Sequence, residues 1–234
     1  MTHAMSLTAL ALAPALVCAI YIFIRDKYEK EPFQLLITGV LFGAILTAPI
    51  VQTEDFITLF MPDGGLLMEA AYDSYAVAAL SEEGLKYLTL FFLVWRNRNF
   101  NERFDGIVYG AFIALGFAGV ENVLFVLNPT LGGVNTGLIR AVLSVPAHAI
   151  FGIMMGYYFA MIKFEPEKKY VHAFKAFFVP WLIHGSYDFI LLSGMEYMML
   201  ALAAFTAYLW FKGYKNMKSH IEASPFKPVQ NKTA

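Results

Sequence analysis

Cysteine is all but absent: Cys18 stands alone among 234 residues, so one chain can form neither a disulfide framework nor a CxxC metal site. It lies in an apolar run and reads as filler facing lipid or core. Charge is scarce as well. Asp, Glu, Lys and Arg make up 15% of the chain against 59% hydrophobic residues, with a mean hydropathy of +0.57, whereas a soluble domain carries about 25% charged residues. A water-soluble fold could not hide that much apolar surface. With 17 Lys+Arg against 18 Asp+Glu there is no cationic excess, which argues against nucleic acid as a partner. The first ten residues contain no Lys or Arg, and Arg25-Asp26-Lys27-Tyr28-Glu29-Lys30 follows the first apolar run in place of a small-residue cleavage site. That run therefore reads as a retained helix and not as a signal peptide.

What remains is apolar runs. Crossing ~30 Å of hydrocarbon takes about 20 helical residues, and runs of that length fall at approximately 5–24, 33–53, 72–95, 104–127, 137–162, 172–193 and 195–212. None alternates polar and apolar residues as barrel strands do, and lipid offers no partners to an open sheet edge. The expectation is an all-α, polytopic membrane bundle of about seven transmembrane helices. Arg25, Lys27 and Lys30, then Arg96, Arg98 and Arg103, then Lys163, Lys168 and Lys169 mark every second connection, and the tail adds Lys212, Lys215, Lys218, Lys227 and Lys232. The alternate connections, 54–71 and 128–136, have none, which predicts an external N-terminus and a cytoplasmic C-terminus. Residues 1–212 then form one transmembrane domain. Residues 213–234, with Pro225 and Pro228, read as a short, polar, solvated cytoplasmic tail.

Ionisable residues within spans are expensive and mark functional sites by default. The third span carries Glu82, Glu83 and Lys86, the fourth Glu121 and Asn122, the fifth His148, and the sixth His184 and Asp188. Counted inward from the external boundary, Glu82 lies ~15 Å deep, Glu121 ~10 Å, His148 ~16 Å and His184 ~14 Å. Four antiparallel helices thus place them in one layer, in the outer half of the membrane. His184 and Asp188 share a helix face, as do Arg140, Ser144 and His148. Glu82 and Glu83 point about 100° apart, so only one of them can face a common cavity, and the other is free to pair with Lys86. Each feature also has a plain structural reading: an ion pair for Glu83 and Lys86, interhelical hydrogen bonding for Glu121 and Asn122, a packed core residue for His148, a structural hydrogen bond for His184 and Asp188. Arg140 reads as a snorkelling interface residue.

Two imidazoles and a carboxylate, here His148, His184 and Glu121, can hold a divalent ion such as zinc and leave a position open for water. A further glutamate could take the water's proton and return it to a leaving amine. Without metal, a glutamate could activate water while the histidines or Asn122 stabilise an oxyanion. A transporter or proton relay could use the same layer, and so could a non-catalytic scaffold.

At these residues the chain resembles the PrsW family of intramembrane proteases, distant relatives of the type II CAAX prenyl endopeptidases. The likeness runs through Asp26-Lys27-Tyr28-Glu29-Lys30-Glu31-Pro32, Glu82-Glu83-Gly84-Leu85-Lys86, Asp105-Gly106-Ile107-Val108-Tyr109-Gly110 with Glu121-Asn122, Pro146-Ala147-His148, and His184-Gly185-Ser186-Tyr187-Asp188. It implies a multi-pass protease in the plasma membrane of a bacterium or archaeon. Glu82, Glu83, Glu121, His148 and His184 would be its catalytic residues, supported by Lys86, Asn122 and Asp188. The substrate it implies is a single-pass membrane protein such as an anti-sigma factor, given its first cut in envelope-stress signalling.

Overall fold

The structure, a computed structural model, describes residues 3–228, apart from the side chains of 196–199. Seven helical rods follow the seven apolar runs. They are α1 (His3–Arg25); α2 (Phe33–Thr58); a third rod made of α3 (Leu66–Tyr72), a π-helical stretch (Asp73–Ala79) and α4 (Leu80–Val94); α5 (Arg103–Val126); a fifth rod made of α6 (Val134–Val142) and α7 (Ser144–Phe164); α8 (Lys169–Leu192); and α9 (Glu196–Glu222). Four of them, His3–Arg25, Phe33–Thr58, Arg103–Val126 and Val134–Phe164, are long and apolar enough to cross a membrane by length and composition alone. The third rod is interrupted by its π stretch and carries three charged residues in one turn. Leu12, Leu16, Val17 and Ile20 on α1 stay exposed, as expected of a surface solvated by lipid.

Helix α5 is the axis. Every residue from Phe104 to Gly119 is buried, the mark of a helix that is apolar all round and surrounded on every side. It packs against α7, α2 and α1. Lipid is as apolar as a leucine side chain, so close packing and not water exclusion holds such helices together, and small residues permit the closest approach. A Cβ on Gly110 would lie 2.6 Å from the Gly152 carbonyl oxygen, and one on Gly106 would lie 2.6 Å from that of Gly156. Gly106 and Gly110 are four residues apart, as are Gly152 and Gly156, so each helix offers a small-residue stripe to the other.

Two departures from regular helix shape the site. The expected fifth span breaks at Leu143, with φ −106° and ψ −67°. Pro146 is the reason: lacking an N–H, it cannot donate to Val142 and is tolerated only in the first turn of a new helix. In the third rod, the π stretch widens the turn and shifts the phase of the α4 face relative to α3. Within it the Tyr75 carbonyl accepts a hydrogen bond from Trp181 Nε1 at 2.8 Å, while the Tyr75 hydroxyl meets Ser186 Oγ at 2.9 Å. These bonds tie the third rod to α8.

The tail differs from the expected solvated segment. Helix α9 continues to Glu222, and Asn216, Met217 and His220 are buried. His220 Nδ1 lies 2.9 Å from the Arg103 carbonyl oxygen and its ring stacks on Tyr157. One face of this polar-looking stretch is thus docked on the bundle, through Asn216 and His220 as well as Met217. Residues 229–234, including Lys232, lie outside the described residues.

Candidate active site

The four expected polar helices meet at the floor of a cavity of about 470 Å³. Its walls come from α2 (Thr47, Glu54), the π stretch (Asp73, Val77), α4 (Glu82), α5 (Phe117, Glu121), α6 (Arg140), α7 (Ser144, His148) and α8 (His184, Asp188). Glu82 lines the cavity; Glu83 does not, and is fully buried behind it. The 100° between neighbours on one helix is decided this way because Lys86, itself buried, donates from Nζ to Glu82 Oε2 at 2.8 Å and to Glu83 Oε1 at 2.9 Å. The ammonium also sits 4.2 Å from the Phe117 ring centroid. The anticipated Glu83–Lys86 pair is therefore part of a triad that includes the cavity-facing glutamate.

His184 is held at both ring nitrogens and His148 at one. His184 Nε2 lies 3.0 Å from Asp188 Oδ2, the i,i+4 partner seen in the sequence, and its Nδ1 lies 3.0 Å from Glu83 Oε1. Its ring stacks on Phe151 with centroids 4.7 Å apart. His148 Nε2 lies 3.0 Å from Glu121 Oε2. The other nitrogen, His148 Nδ1, is buried without a hydrogen-bond partner and points towards Glu82 Oε2, 3.9 Å away. His184 Nδ1 is 4.0 Å from that same oxygen.

Arg140 is no snorkelling residue. Its Nη2 donates to Glu121 Oε2 at 2.7 Å and its Nε to Asn122 Oδ1 at 2.8 Å, with the guanidinium over the Phe125 ring. Because α6 is a separate short helix packed on α1 and α5, its arginine finds a carboxylate nearby and need not reach for the membrane surface. Asn122 is turned to a neighbouring helix, donating from Nδ2 to the Ala11 carbonyl at 2.7 Å, which fits interhelical bonding better than oxyanion binding.

The donors that converge are Glu82, His148 and His184, whose ligand atoms all lie within 4.8 Å of one another. Glu121, expected as the third ligand, stands instead behind His148 on its far nitrogen. This donor set suits a divalent ion. Metal–donor bonds of about 2.0–2.2 Å in a tetrahedral site put donors roughly 3.3–3.5 Å apart, so donors that lie within 4.8 Å of one another would close in by up to about 1.5 Å around an ion. A bound ion would give the orphaned His148 Nδ1 a partner and would take the place of Glu83 at His184 Nδ1. Behind the histidines, Glu121 and Asp188 already occupy the outer positions that fix imidazole orientation in metal centres. Glu82 Oε2 has a second lone pair beside the one taken by Lys86.

Sequence reasoning missed two cavity residues. Glu54 falls just past the expected end of the second span, but α2 runs on to Thr58 and carries it into the wall. Asp73 opens the π stretch, a departure with no sequence signature. Glu54 opens the cation-free connection 54–71 and Asp73 lies just past its end, and that absence was the available signal.

Residues 31–211 match the family described as PrsW family intramembrane metalloprotease. The chain is 35% identical over 213 residues to Protease PrsW of Geobacillus kaustophilus (strain HTA426), covering 91% of each chain. It is 37% identical over 209 residues to Protease PrsW of Clostridioides difficile (strain 630), covering 88% of this chain and 87% of the other. With Protease PrsW of Bacillus subtilis (strain 168) it shares 34% identity over 210 residues, covering 88% and 92%. No solved structure matches the chain at a significant level. Likeness of this extent means that the chain belongs to the PrsW family of intramembrane metalloproteases and is a membrane-embedded peptidase.

Proposed function

We propose that this peptidase is an endopeptidase that cuts a single-pass membrane protein, such as an anti-sigma factor, within the outer half of a bacterial or archaeal plasma membrane. The observation that carries this reading is the convergence of Glu82, His148 Nδ1 and His184 Nδ1 at the floor of a cavity inside an apolar bundle. Hydrolysis needs a carboxylate, donors for an oxyanion and access for water, and all three requirements have residues there. The same convergence and the family membership favour hydrolysis over transport or a scaffold role.

Glu82 is assigned as the group that takes the proton of the attacking water and returns it to the leaving amine. Its Oε2 is steadied by Lys86, and its Oε1 has no partner among the described residues. Glu83 is assigned as a brace: it neutralises Lys86 and fixes His184. Arg140 holds Glu121, and Glu121 sets the ring of His148. His148 and His184 supply N–H groups or lone pairs towards the reacting carbonyl. A divalent ion, when bound, would be held by His148, His184 and Glu82 Oε2, which leaves Glu82 Oε1 to take the water's proton, and it would lower the pKa of water and polarise the scissile carbonyl.

The test is cleavage of a tagged single-pass anti-sigma-type substrate by purified protein in liposomes. Glu82→Gln is expected to lose about 10²–10⁴-fold in rate, the usual worth of a general base, while staying folded. Full activity in Glu82→Gln would sink the assignment. For the metal, elemental analysis of purified protein should find about one divalent ion per chain in wild type and far less in His148→Ala and His184→Ala. Equal metal content in all three would remove these histidines as ligands.

A further inference from the structure

A peptide bond inside a membrane helix is shielded by the helix's own hydrogen bonds. Cutting it requires a stretch to unwind and bare N–H and C=O groups for which lipid has no partner. Three polar atoms of cavity-lining residues are buried without a hydrogen-bond partner among the described residues: His148 Nδ1, the Thr47 hydroxyl and the Tyr187 hydroxyl. The first belongs to the reacting centre. Thr47 and Tyr187 are 7% and 2% exposed and have no part in it, yet a buried orphan hydroxyl is costly and rare enough to need a reason.

Local structure does not supply that reason. A helical threonine can donate its hydroxyl to the carbonyl four residues back, and the other threonines of α2 do so: Thr38 to Gln34, Thr53 to Pro49 and Thr58 to Glu54, each at 2.8 Å. Thr47 leaves its own option, the Gly43 carbonyl, unused. Gly43 sets the position of that turn, because α2 lies so close to α5 there that a Cβ would overlap the Ile113 carbonyl oxygen. On α8, Tyr187 shares the cavity face with His184, Asp188 and Leu191. Its ring meets Phe151 edge-on, with centroids 6.1 Å apart, and Phe151 is the ring that stacks on His184. Ser144 interacts with the phenol oxygen but closes no hydrogen bond with it.

The two hydroxyls also share a depth. Counted inward from the external ends of their spans, Thr47 and Tyr187 both lie ~9 Å down, about 5 Å external to Glu82 and His184. An extended chain advances about 3.3 Å per residue, so 5 Å is one to two residues of an unwound substrate. We propose that Thr47 and Tyr187 form a backbone clamp: their hydroxyls donate to main-chain carbonyls of the substrate one to two residues external to the scissile bond and hold that stretch extended across the cavity. This rests on the cavity being the peptidase site. A clamp of this kind reads the main chain and not the side chains, so it admits any stretch that unwinds and sets the register in which the chain crosses Glu82.

Single-pass fluorescent peptides in liposomes test this, identical except that one amide at a time, at successive positions external to the cut, is replaced by an ester, whose carbonyl is a weaker acceptor. Binding and cleavage are read separately on the full chain. Thr47→Val and Tyr187→Phe keep shape and remove the hydroxyl. Each should raise KM for the all-amide peptide about 3- to 10-fold, the net worth of one hydrogen bond, and change kcat less. Thr53→Val, the same exchange away from the cavity wall, should leave KM unchanged. The ester that weakens binding to wild type should cost less than about twofold in the variant that lacks its hydroxyl partner. Melting temperatures should hold or rise, since an orphan polar group gives way to an apolar one. Unchanged KM in both variants, ester effects that persist in full in both, or a fall in melting temperature without a change in KM would overturn the clamp and leave the peptidase standing. The same losses in binding with no cleavage of any peptide, by wild type included, would uphold the clamp and overturn the endopeptidase reading instead.

Discussion

Lys86 is fully buried between two neighbouring glutamates and under an aromatic ring. Removing one member of a buried ion pair leaves the other charge without compensation and typically costs about 3–5 kcal/mol. Lys86→Met keeps the length of the side chain and removes its charge, so it should lower stability by that order, as measured by thermal unfolding in detergent, and abolish cleavage. Adding Glu82→Gln and Glu83→Gln to it should recover most of the stability and none of the activity. A Lys86→Met protein as stable as wild type would mean the triad is not closed in the membrane. The sequence showed that Glu82 and Glu83 could not both face the cavity; which one does depends on Lys86 and His184, residues three and 101 positions from Glu83. Local spacing reaches the first partner and not the second.

Elements carry their own message. The glycines that let α5 and α7 touch are invisible to a hydropathy count, because a glycine is simply a weakly apolar residue there, yet their spacing of four is readable once two helices are known to face each other. Gly110→Val should destabilise the protein by about 1–3 kcal/mol or more through overpacking. Gly213→Ala is the control: a Cβ there meets Ile150 and Ile153 at 3.9 Å, ordinary contact, and replaces a poor helix former, so it should be neutral or stabilising by up to about 1 kcal/mol. Equal melting temperatures for the two variants would contradict the close α5–α7 contact. The break at Leu143 was also written in the sequence, as Pro146, but a hydropathy window passes over a proline flanked by apolar residues. The break matters for the site, since it separates Arg140 on α6 from His148 on α7 and brings both to Glu121.

On the scale of the whole molecule there are two polar poles. The cavity occupies the end formed by the C-terminal halves of α2, α5 and α8. The opposite end gathers the first motif of the resemblance and the Asp105–Gly110 part of the third: Glu31 accepts a hydrogen bond from the buried Tyr109 hydroxyl, Glu31 N donates to Asp26 Oδ2 at 3.2 Å, and Asn101 N and Glu102 N donate to Asp105 Oδ2 at 2.8 and 2.7 Å. Those stretches therefore tie helix ends together and take no part in the cavity, which receives only Glu121 from the third motif. Burial, and then the neighbouring Asp105 carboxylate, push Glu31 up to about 10, and burial pushes Asp26 up to about 6. A carboxyl raised in the folded state is neutral there while its unfolded counterpart ionises, so stability falls as pH rises from the ordinary value to the folded one. For Asp26 that window closes near 6; for Glu31, raised further by burial and by Asp105, it extends well above that. Unfolding followed between about pH 6 and 9 should show declining stability in wild type and a flatter profile in Glu31→Gln, which keeps an acceptor for Tyr109. A parallel decline in both proteins would clear Glu31 of the effect.

The sequence by itself determined that the protein is a helical membrane bundle, that four of its helices carry polar groups at corresponding positions, and that His184 and Asp188 share a helix face. These follow from hydropathy, a rise of 1.5 Å per residue and contacts within one helix, all of which are local. Only the tertiary structure brought Glu82, and not Glu121, together with the two histidines, paired Arg140 with Glu121 at the cavity, put Glu54 and Asp73 in its wall, and docked the tail helix. Each of these depends on the rotation of one helix against another, set by glycine contacts, a π turn and a proline break, and no periodicity within a single helix records that angle.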